Sequence, residues 1–273
     1  TSSQVHSPAV ASCVSGVISV LKSMFNSTVI DALKARAVGK SVLVVFSGPV
    51  HEDGGFDMLC EYLGMHIRAI DLERDPAHDV INQHFFDTIL RELRQYDVVL
   101  MAPPCSTFSA IRGLDAGPRP LRDEHHMYGL PGLSPHEQEI VKQGTMCAWR
   151  CIQLSTKASE YGKLWLIENP AQRPGSPSLF KLPEMAPLKL LPNFSITIAD
   201  QCMMNCICKK PTEFWSNFPL ECLAMRCCHP DREWIVPWSG EAYTAPHPRA
   251  MGRQLAIPAQ QWTQDMLGPE PDA

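Results

Sequence analysis

Residues 97–113 read DVVLMAPPCSTFSAIRG, and the fold is decided here. Val98, Val99, Leu100 and Met101 form a short, unbroken apolar run of the kind found in strands buried on both faces. Pro103 and Pro104 then end it, since neither can donate to a sheet ladder. A buried strand that delivers a cysteine behind two rigid residues holds the Cys105 thiol in one place, where neighbours can tune it. Free cysteine is mostly protonated at neutral pH, so a nucleophilic role requires a positive charge or a base nearby. The alternative, a small buried hydrophobe, suits Cys13 or Cys60 better than Cys105.

Outward from this strand the same rhythm repeats. SVLVVFSG (41–48), GGFDMLCEYLG (54–64), MHIRAIDLE (65–73) and FFDTILRELRQY (85–96) precede it. A helix over about 134–160 and then KLWLIENP (163–170) follow. Strands alternating with helices at this spacing imply right-handed crossovers and a parallel sheet, an α/β, Rossmann-like, doubly wound fold. A Pro-rich stretch runs to Pro192, SITIADQC (195–202) reads as a further strand, and the remainder reads as loop-rich and irregular. Residues 1–39 are polar and weakly amphipathic over 17–33, with Gly39 as a helix stop, and are expected to form an N-terminal appendage to a domain over 40–273. Within that domain we expect a core over 40–200, a short substrate-side region over 201–257 and a tail over 258–273.

In open parallel sheets the ligand lies beyond the carboxyl ends of the strands. Four such ends carry polar or reactive residues: Ser47 and Gly48, Asp71, Cys105, and Glu168 with Asn169. The turn FSGPVHEDGGF (46–56) offers backbone to a ligand but also reads as a plain structural turn. Asp71 suits ribose hydroxyls, or is a solvated surface acid. Glu168 ends a largely apolar strand, where a carboxylate is costly unless paired or used; capping the next turn is its plainer reading.

Composition sets outer bounds. With 45% hydrophobic and 19% charged residues the chain is globular rather than disordered. A net charge of −5 weighs against a nucleic-acid reading, so contact with nucleic acid would need a local basic patch or another domain. Eleven cysteines, an odd count without a leader segment, point to a reducing compartment rather than a disulfide framework. The apolar run at 42–46 is too short to cross a bilayer, so the chain is expected to be soluble, without a membrane partner. Its opening on Thr1 and the polar TSSQVHSPAVAS suggests a piece of a longer polypeptide.

In their order, FSG…GGF, the strand-end Asp71, PPCSTFS and IENP resemble the DNA (cytosine-5) methyltransferases, closely over about 41–172 and more loosely to about 257. Within that family the chain is most similar to a compact, divergent branch found in mobile genetic elements. The resemblance implies S-adenosylmethionine as cofactor, held by Phe46, Ser47, Gly48, Gly54, Asp71, Asp79 and Pro103. It implies Cys105, Glu168 and Asn169 as catalytic residues, Cys105 attacking carbon 6 of a flipped-out cytosine so that carbon 5 takes the methyl group. Ser106, Arg112, Arg122, Lys209 and Lys210 are the expected substrate contacts, Arg119, His125 and His126 sharing a polar loop with two of them. DNA is preferred over RNA as substrate, and the compartment is intracellular, the nucleus included.

Departures from the family pattern are specific. The cofactor turn is stretched by Pro49 to Asp53, and Ser106 replaces the usual Gln. Only Lys209 and Lys210 stand where an Arg-rich strand is usual. Little chain separates Thr212 from PHPRAMGRQLAIP (246–258), which leaves target recognition to another domain or protein. A catalytically silent module that binds cofactor or nucleic acid is the rival reading, and an RNA cytosine methyltransferase a third. Cys202, Cys206, Cys208, Cys222, Cys227, Cys228 and His229 resemble a zinc inventory, but their irregular spacing favours packing residues, and no metal is expected.

Overall fold

The computed structural model describes residues 26–50, 56–113, 118–201 and 210–227. Its elements in chain order are α1 (Ser27–Ala37), β1 (Ser41–Val45), α2 (Phe56–Tyr62), β2 (His66–Ile70) and α3 (Gln83–Glu92). They continue with β3 (Val98–Met101), α4 (Pro135–Glu160), β4 (Leu164–Pro170), β5 (Ser195–Asp200) and β6 (Pro211–Ser216). The strands form one sheet in the order β2-β1-β3-β4-β6-β5. β2, β1, β3 and β4 run parallel, while β6 is antiparallel to both of its neighbours. With helices on both faces this is the Rossmann-like, doubly wound architecture.

Alternation along the central strands assigns the two faces. Val99 and Met101 of β3 join Trp165 and Ile167 of β4 in the core under α3 and α4. Val98, Leu100 and Leu166 join the core on the other face, with α1 and α2. Each such side chain contributes about 1.5–3 kcal/mol by leaving water. Trp215 closes the first core, with Phe180 stacked on it at 4.7 Å and Phe194 edge-on at 5.1 Å.

α1 forms within the stretch expected to be an N-terminal appendage. Asn26 caps the helix by accepting from Val29 N at 3.0 Å. Ile30, Leu33 and Ala37, at helical spacing, are buried, the latter two in the core beside Val42 and Leu59. These turns therefore pack into the same core as β1 and α2. α4 starts where expected: Ser134 and Glu137 form a reciprocal capping box, and Pro135 opens the helix. β6 lies in a stretch that reads as irregular, yet Thr212 to Ser216 are all buried because β4 and β5 flank them on both sides.

Candidate active site

The first half of the site is built where β1 and β2 end. After Val45 the chain turns sharply, with Phe46 at φ 62° and Gly48 at φ 70°. A left-handed non-glycine residue is strained by about 1–3 kcal/mol. Backbone N–H groups of Phe46 and Ser47 both donate to Ile70 O, at 2.9 and 3.2 Å, and hold the turn in place. Asp71 then joins the two loops: Oδ2 accepts from Gly48 N at 2.8 Å and Oδ1 from Glu73 N at 2.9 Å. Ser47 is buried, and its hydroxyl donates to Gly48 O at 3.3 Å.

Arg74, which no local pattern singles out, completes the join. Its Nε donates to Gly48 O at 2.8 Å, and Nη1 pairs with Asp57 Oδ2 of α2 at 2.8 Å. A cleft of about 100 Å³ opens beside this junction, lined by Phe46, Asp71, His78, Asp79, Pro104 and Cys147 among others. Asp79 is held by accepting from Ile81 N at 2.9 Å. Arg150 of α4 fixes the same segment, donating to Val80 O at 3.0 Å and Ile81 O at 3.1 Å while lying 4.0 Å over the Phe86 ring. Burial pushes the Cys147 thiol up to about 12, so it is a neutral wall of the cleft. Gly54 lies outside the described residues.

The second half forms at the ends of β3 and β4, which pair in parallel with Met101 opposite Ile167. That register brings the chain leading to Cys105 and the residues Glu168 and Asn169 to one end of the sheet. Asn169 Nδ2 donates to Pro103 O at 3.0 Å and anchors the approach to the nucleophile candidate. Beyond it, Phe108 N donates to Cys105 O at 3.0 Å and closes a tight turn with Ser106 exposed at its tip.

Glu168 is only 1% exposed, a costly position for a carboxylate unless a cation accompanies it. Lys210, at the start of β6, places Nζ 3.6 Å from Glu168 Oε1. Antiparallel insertion of β6 beside β4 thus delivers the charge partner. Burial pushes the Cys105 thiol above its ordinary value, Lys210 pulls it partly back, and Glu168 adds to the rise. The cysteine is therefore a protonated thiol at neutral pH with a cation at hand.

Not every expected substrate contact faces outward. Arg122, expected to contact substrate, is 1% exposed. Its guanidinium donates to Met127 O, to Val141 O at 2.6 Å and to Thr145 Oγ1 at 3.1 Å, and lies 4.0 Å over the Phe108 ring. Burial lowers it to about 10, still charged at neutral pH. These contacts bury it beneath the loop rather than on the loop surface, which corrects the assignment. Arg112 is half-buried, its Nε bonded to Ser106 O and Nη1 to Arg119 O at 2.9 Å, so it closes the loop on itself. Arg119, His125 and His126 are exposed, and Lys209 lies outside the described residues.

Of the cysteine set only Cys227 is fully described; its backbone N–H donates to Asp200 Oδ2 at 2.8 Å. The side chain of Cys222, and Cys202, Cys206, Cys208, Cys228 and His229 entirely, lie outside the described residues. Among the described residues no group of three or more candidate metal ligands comes together, and no helix is long and apolar enough to cross a membrane.

No known family profile matches the chain, and no curated protein matches it in sequence. Among solved structures it is similar to the S. pombe Dnmt2 methyltransferase, at 16% identity and a TM-score of 0.34, over 66% of this chain. The matched part spans about half, 52%, of that protein. The fold class itself stands on the strand order and on the helices covering both faces of the sheet.

Proposed function

We propose that the chain is an S-adenosylmethionine-dependent methyltransferase that acts on carbon 5 of cytosine in nucleic acid, DNA in preference to RNA. The observation that carries this reading is a thiol and a buried carboxylate at the ends of adjacent parallel strands. Lys210 pairs with the carboxylate and its charge acts on the thiol, and a cleft opens next to them at the ends of β1 and β2. The cleft's residues fit the cofactor. Asp71 and Asp79 are acceptors for hydroxyl and amino groups, and Phe46, Ile70, Val80 and Pro104 are apolar walls for a heterocycle. Bound there, S-adenosylmethionine would supply an electrophilic methyl group.

The chain's own residues account for the rest. Ring carbon 5 of cytosine is a poor nucleophile until a thiolate adds at carbon 6 and pushes an electron pair toward it. Cys105 becomes that thiolate by giving its proton to solvent water, and the Lys210 ammonium stabilises the charge so formed. Glu168, held by Lys210, faces ring nitrogen 3 and the amino group in this reading. Once carbon 5 carries the methyl group, loss of its proton to solvent water restores the ring double bond and expels Cys105 as the thiolate. Asn169, through Pro103, keeps the nucleophile's approach rigid.

An oligonucleotide carrying 5-fluorocytosine tests the reading, since fluorine cannot leave as the proton does. A covalent adduct that needs cofactor and vanishes in Cys105→Ser is the expected result. Glu168→Gln should slow the adduct without weakening cofactor binding. Duplex DNA, single-stranded DNA and RNA are tested in parallel, and adducts formed on RNA alone would transfer the assignment to RNA. Protein that binds cofactor yet traps none of the three would be the silent module instead.

A further inference from the structure

We propose that Arg122 is a positioning residue for Cys105, acting from beneath through the turn that carries the thiol. The proposal rests on reading Cys105 as the nucleophile. Two residues of that turn are gripped by α4. Thr107 lies against Gly144, where an added Cβ would stand 2.9 Å from Thr107 Oγ1. Phe108, whose N–H closes the turn on Cys105 O, lies under the Arg122 guanidinium at 4.0 Å. The guanidinium is itself fixed by Met127 O on one side and by Val141 O and Thr145 Oγ1 of α4 on the other.

Arg122 thus meets three separate stretches of chain: the thiol's turn, the 118–133 segment and the helix. The segment is closed by Leu130 N donating to Leu121 O at 2.9 Å, and Leu121 packs with Leu133 and Val141, so the arginine is delivered from a firm base. An apolar side chain could fill this space without burying a charge, at the cost of leaving the Met127 carbonyl and the Thr145 hydroxyl without the guanidinium. What the planar fork adds is direction: donors set in one plane, with a flat face for Phe108 to pack against. Upstream, Asn169 performs the matching role on Pro103. Cys105 is therefore held from both sides, which suits a group whose placement matters to about 0.5 Å.

Alkylation of Cys105, read by mass spectrometry of its peptide across a pH series, tests this without cofactor or nucleic acid. Cys105 is half-buried and burial is the main reason its thiol is raised, so loosening the turn is expected to expose it further. In Arg122→Met we expect severalfold faster alkylation and a pH midpoint shifted down toward the ordinary thiol range, while 5-fluorocytosine trapping slows. Arg122→Lys, which keeps the charge but not the fork, should fall between. A merely stabilising residue would leave both alkylation rate and midpoint unchanged well below the melting temperature. Wild-type values in folded Arg122→Met would overturn the proposal. If that variant does not fold, Phe108→Leu, which removes the ring but leaves the guanidinium its hydrogen bonds, decides on the same readout. Arg122-dependent alkylation in a protein that never traps cytosine would uphold the positioning and remove the methyltransferase reading alone.

Discussion

Replacing Gly144 with alanine adds one methyl group to the middle of α4, and its consequences are worked out from neighbouring atoms. The new Cβ would stand 2.9 Å from Thr107 Oγ1, 3.3 Å from Arg122 Nη2 and 3.8 Å from Phe108 Cε2. Thr107 is 1% exposed in a close-packed interior, so the turn after Cys105 is expected to shift by roughly 0.5 Å to reach ordinary contact distance. Overpacking of this kind costs about 1–3 kcal/mol, and the better helix propensity of alanine returns about 1 kcal/mol. Global stability should therefore fall by only about 0–2 kcal/mol by this arithmetic. Function is more sensitive. A misplacement of about 1 Å can cost on the order of a hundredfold in rate, so roughly half that shift should slow trapping of 5-fluorocytosine by about tenfold. Urea denaturation and single-turnover trapping measure the two effects. Gly162→Ala is the control: Gly162 has φ +65° and no atom within 4 Å of the added Cβ, so it should lose stability without slowing the trap. Trapping at the wild-type rate in Gly144→Ala would refute the idea that α4 sets the position of the thiol.

Other consequences are more direct. Asp71→Ala frees the Gly48 and Glu73 amides as well as removing an acceptor from the cleft, so titration calorimetry with S-adenosylhomocysteine should register a loss of about 1–3 kcal/mol in affinity. Unchanged affinity would place the cofactor elsewhere. Burial raises the thiols of Cys60, Cys105, Cys147 and Cys151 above their ordinary value. Their contribution is complete below that value and is lost as pH climbs toward the folded-state values, because the unfolded chain then binds fewer protons. Urea midpoints should fall from about pH 9 upward, each thiol contributing up to about 1.4 kcal/mol per pH unit. A flat profile to pH 10.5 would show these thiols to be accessible in the native state.

Much of the fold was legible because it is written locally. Unbroken apolar runs mark β1, β3 and β4 whatever lies beside them, and the capping residues Ser134 and Glu137 mark the start of α4 within a single turn. The ends of those strands could be named for the same reason, and Asp71, Cys105, Glu168 and Asn169 stand there. Arg122 was not legible: an arginine in a polar loop reads identically whether it faces water or lies over a phenyl ring. Arg74 and Arg150 were hidden in the same way, since their partners, the Gly48 carbonyl and the Asp57 carboxylate for Arg74 and the Val80 and Ile81 carbonyls for Arg150, lie on segments distant in sequence.

The sequence alone determined the alternation of strand and helix, the places where strands stop, and which reactive groups stand at those stops. These depend on hydrophobic period and on residues within a turn of one another. Only the tertiary structure decided that β6 enters antiparallel between β4 and β5, that Lys210 thereby reaches Glu168, and that Arg122 supports the turn of Cys105 from below. Each of these joins groups from separate segments, and the choice of partner is made by packing of the whole sheet and its helices, which no local pattern encodes.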